Sequence, residues 1–536
     1  MKHWYDLETS DAFHSTQALQ CAGLTTDDDL NIIKGSEFNL IAKPRLDVIP
    51  SPMAFMVHML DIDHLKTEGL TERQLLKHME RIFLYSKNSQ ICGYNSMKFD
   101  DIVTRHSFFR NMMPPYNHEW KEGNTRYDAF KLVQFVHALR PDLLVFPKKE
   151  DGSDSLKLES LSKANGIIHE RAHDAVSDVY ATVDLVRMIK ERSPRLYQYT
   201  QSLTNKANNE DLALFGGPLL HVHFAYGKEN RNSSLIYPLA RDQSNKNKFL
   251  HIDLRQDPYH MLNMSPEEIK HYLFTKRGEL PDGAPVVPVG SFQINDMPLI
   301  VKPKGILTPE LASSNNLDLD QCMRHLEMIK NSRDLLSRIQ QAFRYPEKTP
   351  SHVFDTLYSG GFFSRKDEGA RQILAAMPDE KLKVTDVIEF CQKTDDKLRM
   401  LELLTAMKSE AGGDLSPIEM AILHRQLKFN FFDSESNMSF DKFDRSVQEI
   451  RLSRDLSEEQ EIVMQKLMSH VGGIQHRFLM LEEKVNSLAV EIDQEIDRLG
   501  HKWLKDYLVS DKPNGVMPPL TRTAEPTQAI SDIPAP

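Results

Sequence analysis

The N-terminal run "HWYDLETSD" places Asp6 and Glu8 at the end of an aromatic-rich stretch. A strand over residues 3–8 alternates its side chains between two faces, so Asp6 and Glu8 project side by side from one of them. No Lys or Arg stands between them. Two such carboxylates repel, and each raises the other's pKa unless a cation neutralises them. The strand therefore requires either solvent at its acidic end or metal-binding partners from elsewhere in the chain. The same Asp-x-Glu spacing recurs at Asp433/Glu435 and Asp493/Glu495, in polar surroundings that read as solvated surface. The pattern alone decides nothing.

Partners are on offer. "GYNSMKFDD" sets Asp100 just after a short apolar strand and at the start of a helix. "HDAVSDVYAT" sets His173 five residues before Asp178. With Asp174 as the N-cap, Asp178 falls in the first turns of a helix and His173 stays on the preceding loop. Four acids from three segments suit a pair of hard divalent cations such as Mg²⁺, which prefers oxygen ligands and keeps waters that a substrate phosphate can replace. Two such ions stabilise the attacking and leaving oxygens of an in-line displacement at phosphorus. A histidine nearby can accept the proton of the attacking water. Taken singly, Asp100 and Asp101 are also the acids that any helix start favours, and His173 is an ordinary loop residue. The ordered set carries the case.

At 536 residues the chain is too long for one core and implies several domains. Residues 1–195 alternate strand-like and helix-like segments. "ALQCAGLTTD" and "LNIIKGSEFNLIA" read as a strand pair. "LTERQLLKHMERIFLYS" reads as a helix with Leu75, Leu76, Met79, Ile82 and Phe83 at helical spacing. "DDIVTRHSFFRNMM" is a helix stopped by Pro114–Pro115, and "HDAVSDVYATVDLVRMIKERSP" is a longer one with Val176, Val179, Val183 and Val186 inward. This predicts an α/β or α+β domain. Residues 196–352 carry short β-like runs separated by Asn, Asp, Gly and Pro, with one helix near "SPEEIKHYLFTKR". Residues 353–510 are helical throughout. There Met464, Leu467, Val471, Ile474, Phe478, Leu481, Val485, Leu488 and Ile492 form a heptad-like seam. A bundle helix packing on its own domain is the favoured reading over a dimerising coiled coil, and Gly472–Gly473 argue against one long continuous helix. Residues 511–536, with their many prolines, are expected to be disordered.

Net charge is −11, which argues against a uniformly basic nucleic-acid binder. The acidity is uneven, however. Residues 1–195 hold 25 Lys and Arg against 28 Asp and Glu, so a surface with four acids committed to metal is slightly positive. Cys21, Cys92, Cys322 and Cys391 are scattered without zinc or disulfide spacing. No run approaches the length of a membrane span, and the first residues make no targeting peptide, so a reducing cytoplasm is expected.

The set Asp6, Glu8, Asp100, His173 and Asp178 resembles the DEDDh group of 3′→5′ exonucleases. More closely, "GYNSMKFDDIVTRHSFFRN", "ALRPD", "LESLSKANGI", "HDAVSDVYATV", "SPRLYQY" and "YSGGFF" are similar to the bacterial exodeoxyribonuclease I family, from Asp6 to about residue 365. The resemblance implies an RNase H-like exonuclease domain (1–195), an SH3-like β-rich domain (196–352) and a helical domain (353–510), a multidomain α+β chain. It implies processive removal of 5′-mononucleotides from the 3′ end of single-stranded DNA, in repair and recombination. Asp6, Glu8, Asp100 and Asp178 would hold two Mg²⁺, or Mn²⁺ in their place, and His173 would activate the water. Glu8 and Thr9 would meet the terminal nucleotide. Ser10 stands where the family usually has an aromatic, and Met59, in "MVHMLDI", where relatives carry glycine.

Single strands are gripped by basic grooves and aromatic platforms. Arg105, Phe109, Arg110, Tyr116, Trp120, Arg126 and Tyr127 interleave the two types, and Arg105, Tyr116, Trp120 and Lys157 are the expected strand contacts. The resemblance also implies docking of the acidic C-terminal tail of single-stranded DNA-binding protein, with Arg140 and Tyr199 at matching positions. The chain's own "SDIPAP" end resembles that tail without its final Phe, which raises a self-occluding tail as an alternative to plain disorder. A monomer acting at the nucleoid, with no membrane contact, is expected. The competing readings are a DEDDh exoribonuclease or proofreading exonuclease, and a non-catalytic single-strand-binding module.

Overall fold

The structure, a computed structural model, describes residues 1–167, 175–343, 353–433 and 436–509. Strand β1 (Lys2–Thr9) takes up the aromatic run and lies inside a five-stranded sheet. It pairs antiparallel with β2 (Ala18–Thr26), which pairs antiparallel with β3 (Phe38–Ile41). On its other side β1 runs parallel to β4 (Gln90–Gly93), and β4 to β5 (Thr125–Asp128). The sheet order is β3-β2-β1-β4-β5. Every residue of β2 is buried, as expected of a strand covered on both faces. The second strand of the expected pair is shorter than its apolar run, because most of "LNIIKGSE" is a loop, tied back to the end of β2 by a bridge from Ile32 to Thr26 and by hydrogen bonds between Thr25 and both Ile33 and Ser36.

The helix Ala175–Arg192 packs across β1 and β2 with Val179, Val183, Val186 and Ile189 buried. Val176, expected inward, is only partly buried. The helix Glu72–Phe83 starts at a Thr71/Gln74 capping box and buries Leu75, Leu76, Met79 and Phe83. Its Glu72 is fully buried and receives Arg45 at 2.9 Å, Asn111 Nδ2 at 2.9 Å and both Arg110 Nε and Nη2. Burial alone would raise this carboxyl, but the Arg110 and Arg45 guanidiniums bring it down to about 2. Arg110 also donates to the Ser15 and Thr16 carbonyls, fixing the loop after β1.

A second antiparallel sheet has the order β10-β6-β7-β8-β9, from β6 (Leu219–Val222), β7 (Ser233–Arg241), β8 (Lys248–Asp253), β9 (Val289–Gln293) and β10 (Ile300–Val301). The helix expected near "SPEEIKHYLFTKR" is Pro266–Phe274, opened by a Ser265/Glu268 capping box. One hydrophobic core runs from Trp4, Leu132 and Val183 through Leu220 and Leu250 to Ile339. By contacts, residues 1–348 and 440–474 form one compact unit, in which the helix Phe440–Ser453 packs on Pro52–His58 and Lys466 meets Asp61 at 2.6 Å.

The other unit takes residues 349–439 and 475–536, and its described part is helical. Lys397–Glu410 and Pro417–Phe432 pack together, with buried Glu419 taking Lys408 Nζ at 2.8 Å. The heptad-like seam lies on one uninterrupted helix, Glu458–Ser487, whose part up to Ile474 belongs to the first unit, and on its continuation Ala489–Leu499. The expected weakness at Gly472–Gly473 is thus overridden. Both glycines face solvent, while Met464, Leu467, Val471, Ile474 and Phe478 are buried on either side. Their burial outweighs a helix penalty of about 1 kcal/mol per glycine.

Candidate metal centre and strand-binding face

On β1, Asp6 opposes Ala22 and Glu8 opposes Gln20, both in regular antiparallel register. The register shifts between Glu8 and Thr9, a local irregularity of the kind that often ends pairing beside a functional site. Both acids therefore leave the sheet on one face, and Asp178, in the first turn of Ala175–Arg192, joins them. Asp6, Glu8 and Asp178 each offer a carboxylate oxygen within 4.8 Å of the others. All three are half-buried.

Asp100 stands beside this trio rather than within it. It opens the helix Asp100–Arg110, is 5% exposed, and its Oδ1 accepts the Leu7 backbone N–H at 3.2 Å. Burial, then the charges of Asp100, Glu8 and Asp178, push the Asp6 carboxyl well above its ordinary range. Burial, then Asp101, pushes Asp100 to about 8. Four carboxylates opposing one another in this way fit a divalent cation, whose charge reverses the sign of every such shift. His173 lies outside the described residues.

The loop that delivers Asp100 is fixed by Asp128 at the end of β5. Asp128 accepts the backbone N–H groups of Asn95 (2.7 Å), Met97 (3.3 Å) and Phe130 (2.9 Å). Asp101 is not a mere helix-start charge. Tyr5 donates its hydroxyl to Asp101 at 2.8 Å, and Arg126 Nη1 donates at 2.9 Å. Burial alone would raise Asp101, yet the Arg126 and Arg105 guanidiniums hold it below the usual carboxylate range. The sequence reading missed this pairing, although Arg126 and Asp101 were both in view.

The expected strand contacts divide. Trp120, at the end of the short helix Asn117–Trp120, is 64% exposed. Arg105 lies with its guanidinium carbon 5.5 Å from the centre of the Tyr116 ring and grips Glu119 through Nε (2.5 Å) and Nη2 (3.0 Å). Lys157 is exposed at the start of the helix Leu158–Ala164. Phe109, Arg110, Arg126 and Tyr127 are all buried and give the strand no face, because the interleaved run supplies core and ion pairs as well as surface. Thr9 is buried and donates to the Asp11 carbonyl at 2.7 Å. Arg140 is half-exposed and forks onto Asp142 at 2.8 and 2.7 Å. Tyr199 stacks on Phe135 and donates to the Ile300 carbonyl at 2.8 Å.

Both departures from the family pattern sit in ordered turns. Ser10 is buried and shares a 2.7 Å hydrogen bond with Thr16. Met59 ends the helix Pro52–His58 with φ 57°, the left-handed region a glycine enters without penalty. The backbone of a glycine turn is kept without the glycine.

Two family profiles match the chain: "Exonuclease" over residues 3–186 and "Exonuclease I SH3-like domain" over residues 205–345. The chain is 36% identical to exodeoxyribonuclease I of Haemophilus influenzae over 75% of its own length and 84% of the relative's. Among solved structures it is similar to the exonuclease I of Methylocaldum szegediense (TM-score 0.80, 28% identity, 88% of this chain and 99% of that one). It is equally similar to the zinc-bound complex of Escherichia coli exonuclease I with single-stranded DNA (TM-score 0.80, 27% identity, 89% and 99%).

Proposed function

The chain belongs to the exodeoxyribonuclease I family and is a 3′→5′ exonuclease of single-stranded DNA, and from that premise we propose how its residues carry the reaction. The convergence of Asp6, Glu8 and Asp178 within 4.8 Å supports the reading most directly. With Asp100 they would hold two Mg²⁺, or Mn²⁺ instead. Such ions supply Lewis-acid stabilisation of the charge on the attacking and leaving oxygens. His173 accepts the proton of the water that attacks the terminal phosphodiester, and the leaving 3′ oxygen departs with the shortened strand. Each cycle releases a 5′-mononucleotide, and the enzyme advances processively.

Glu8 and Thr9 meet the terminal nucleotide. Trp120, Tyr116, Arg105 and Lys157 hold the strand behind it, Trp120 offering a solvent-facing ring on which a base can stack. Arg140 and Tyr199 take the acidic tail of single-stranded DNA-binding protein. The domain bounds at about 195, 352 and 510, a monomeric state and action in the bacterial cytoplasm, in repair and recombination, belong to the same proposal. No described helix is long and apolar enough to cross a membrane.

The test uses 3′-end-labelled DNA and RNA oligonucleotides of one sequence, with Mg²⁺ and then with EDTA. Mononucleotide release from DNA alone, abolished by EDTA and by Asp6→Ala, is the expected result. Equal digestion of RNA would replace the DNA assignment, and release that survives Asp6→Ala would remove the metal centre from the mechanism.

A further inference from the structure

Arg126 is a buried side chain that touches both the second sheet's domain and the helix start that carries Asp100. It rises from β5, where it pairs with Ile91 of β4, and is 9% exposed. Its guanidinium reaches in three directions at once. Nη1 donates to Asp101 at 2.9 Å, Nε lies 3.1 Å from Glu119, and Nη2 donates to the Asn295 carbonyl at 3.2 Å and to Asp296 at 3.4 Å. Asn295 and Asp296 belong to the turn after β9 in the second sheet, and Lys131 holds the same turn through the Asp296 and Met297 carbonyls.

The other end of this chain of contacts reaches the acids. Asp101 is 2% exposed and follows Asp100 directly; it also accepts the hydroxyl of Tyr5, which precedes Asp6. One carboxylate thus fastens the start of the helix Asp100–Arg110 to β1, and Asp100 adds its own bond to the Leu7 N–H. This clasp joins the helix that starts at Asp100 to the strand that carries Asp6 and Glu8. The clasp is in turn held by a guanidinium anchored on the SH3-like domain.

We propose that Arg126 is a positioning residue for the metal centre: by gripping Asp101 from an anchor on the 295–297 turn, it fixes the placement of Asp100 relative to Asp6. The proposal rests on the assignment of the carboxylates to a metal site. It requires the planar fork of arginine, since an ammonium carries the charge but cannot serve three acceptors in fixed directions.

The experiment titrates Mn²⁺ alone into the full chain without DNA, by calorimetry or by loss of the free-ion electron paramagnetic resonance signal, and measures thermal unfolding in EDTA. Arg126→Lys keeps the charge against Asp101 and Glu119. It is expected to unfold within a few degrees of the unsubstituted chain, yet to bind Mn²⁺ about 10- to 100-fold more weakly, the range typical of residues that support metal ligands. At saturating oligonucleotide its rate then recovers with excess metal while KM for DNA is unchanged. Unaltered Mn²⁺ affinity in Arg126→Lys overturns the proposal, as does a loss of affinity that merely tracks a collapse in thermal stability. Absence of Mn²⁺ binding to the unsubstituted chain overturns the metal reading itself, a separate outcome.

Discussion

Removing one carboxylate from the trio should stabilise the metal-free protein while destroying its activity. Asp6, Glu8 and Asp178 present oxygens within 4.8 Å of one another. Two unit charges at that distance repel by roughly 3 kcal/mol at an effective dielectric constant near 20. All three groups are half-buried, so solvent screening reduces this to about 1 kcal/mol per pair. Asp6 belongs to two such pairs and also feels Asp100. Asp6→Asn in EDTA at pH 8 is therefore worth about 1–3 kcal/mol, or about 1–4 degrees in thermal midpoint for a unit of this size. The sign with pH follows from the raised Asp6 pKa. A carboxyl whose folded pKa lies above its unfolded value costs stability as pH rises past that unfolded value, so the variant's advantage shrinks towards acid pH. Saturating Mg²⁺ should reverse the order, because the unsubstituted protein gains binding free energy that the variant largely lacks. Differential scanning fluorimetry in EDTA and in Mg²⁺, at pH 5 and pH 8, reads all four conditions. If Asp6→Asn unfolds below the unsubstituted chain in EDTA at pH 8, the carboxylates are not in mutual opposition and the reasoning fails.

Glu72→Gln leaves Arg45 and Arg110 buried without their common carboxylate and should cost about 3–5 kcal/mol in urea unfolding at pH 7. Glu72 is depressed to about 2, so its contribution is present above pH 4.5 and is lost as pH falls towards 2; the variant's unfolding should be flatter across that window. Trp120→Ala should weaken single-strand affinity by about 1–3 kcal/mol in fluorescence anisotropy, with mononucleotide release still metal-dependent. Gly472→Ala and Gly473→Ala should each raise helix stability by about 0.5–1 kcal/mol, since an added Cβ at either position meets no atom within 4 Å; thermal unfolding of the full chain checks this.

The strand bearing Asp6 and Glu8 and the helix bearing Asp178 were legible in the sequence because each is written in local code. The acidic end of the strand alternates, with Tyr5, Leu7 and Thr9 buried and Asp6 and Glu8 half-buried, and the helix repeats apolar residues at threes and fours. The acids' convergence followed from type and order. The aromatic and basic run from Arg105 to Tyr127 was read less well. Periodicity says which residues are inward, but not that a charged one is. Arg110 and Arg126 went inward because Glu72 and Asp101, from other elements, neutralise them there. Such pairings span 38 and 25 positions of chain and leave no local trace. Gly472–Gly473 were misjudged for the opposite reason: their local cost was visible, but not the burial on both sides that outweighs it.

The placement of the acids on β1 also sets a clock. Asp6 and Glu8 are made early, whereas Asp178 follows roughly 170 residues later. At translation rates of about 5–20 residues per second, the first two acids wait on the order of 10–30 s for their third partner. Through that interval the growing chain carries Asp6 and Glu8, then Asp100 as well, but not the third member of the trio. On the proposed metal assignment, the site is complete only once the helix Ala175–Arg192 has been made and has packed on β1 and β2.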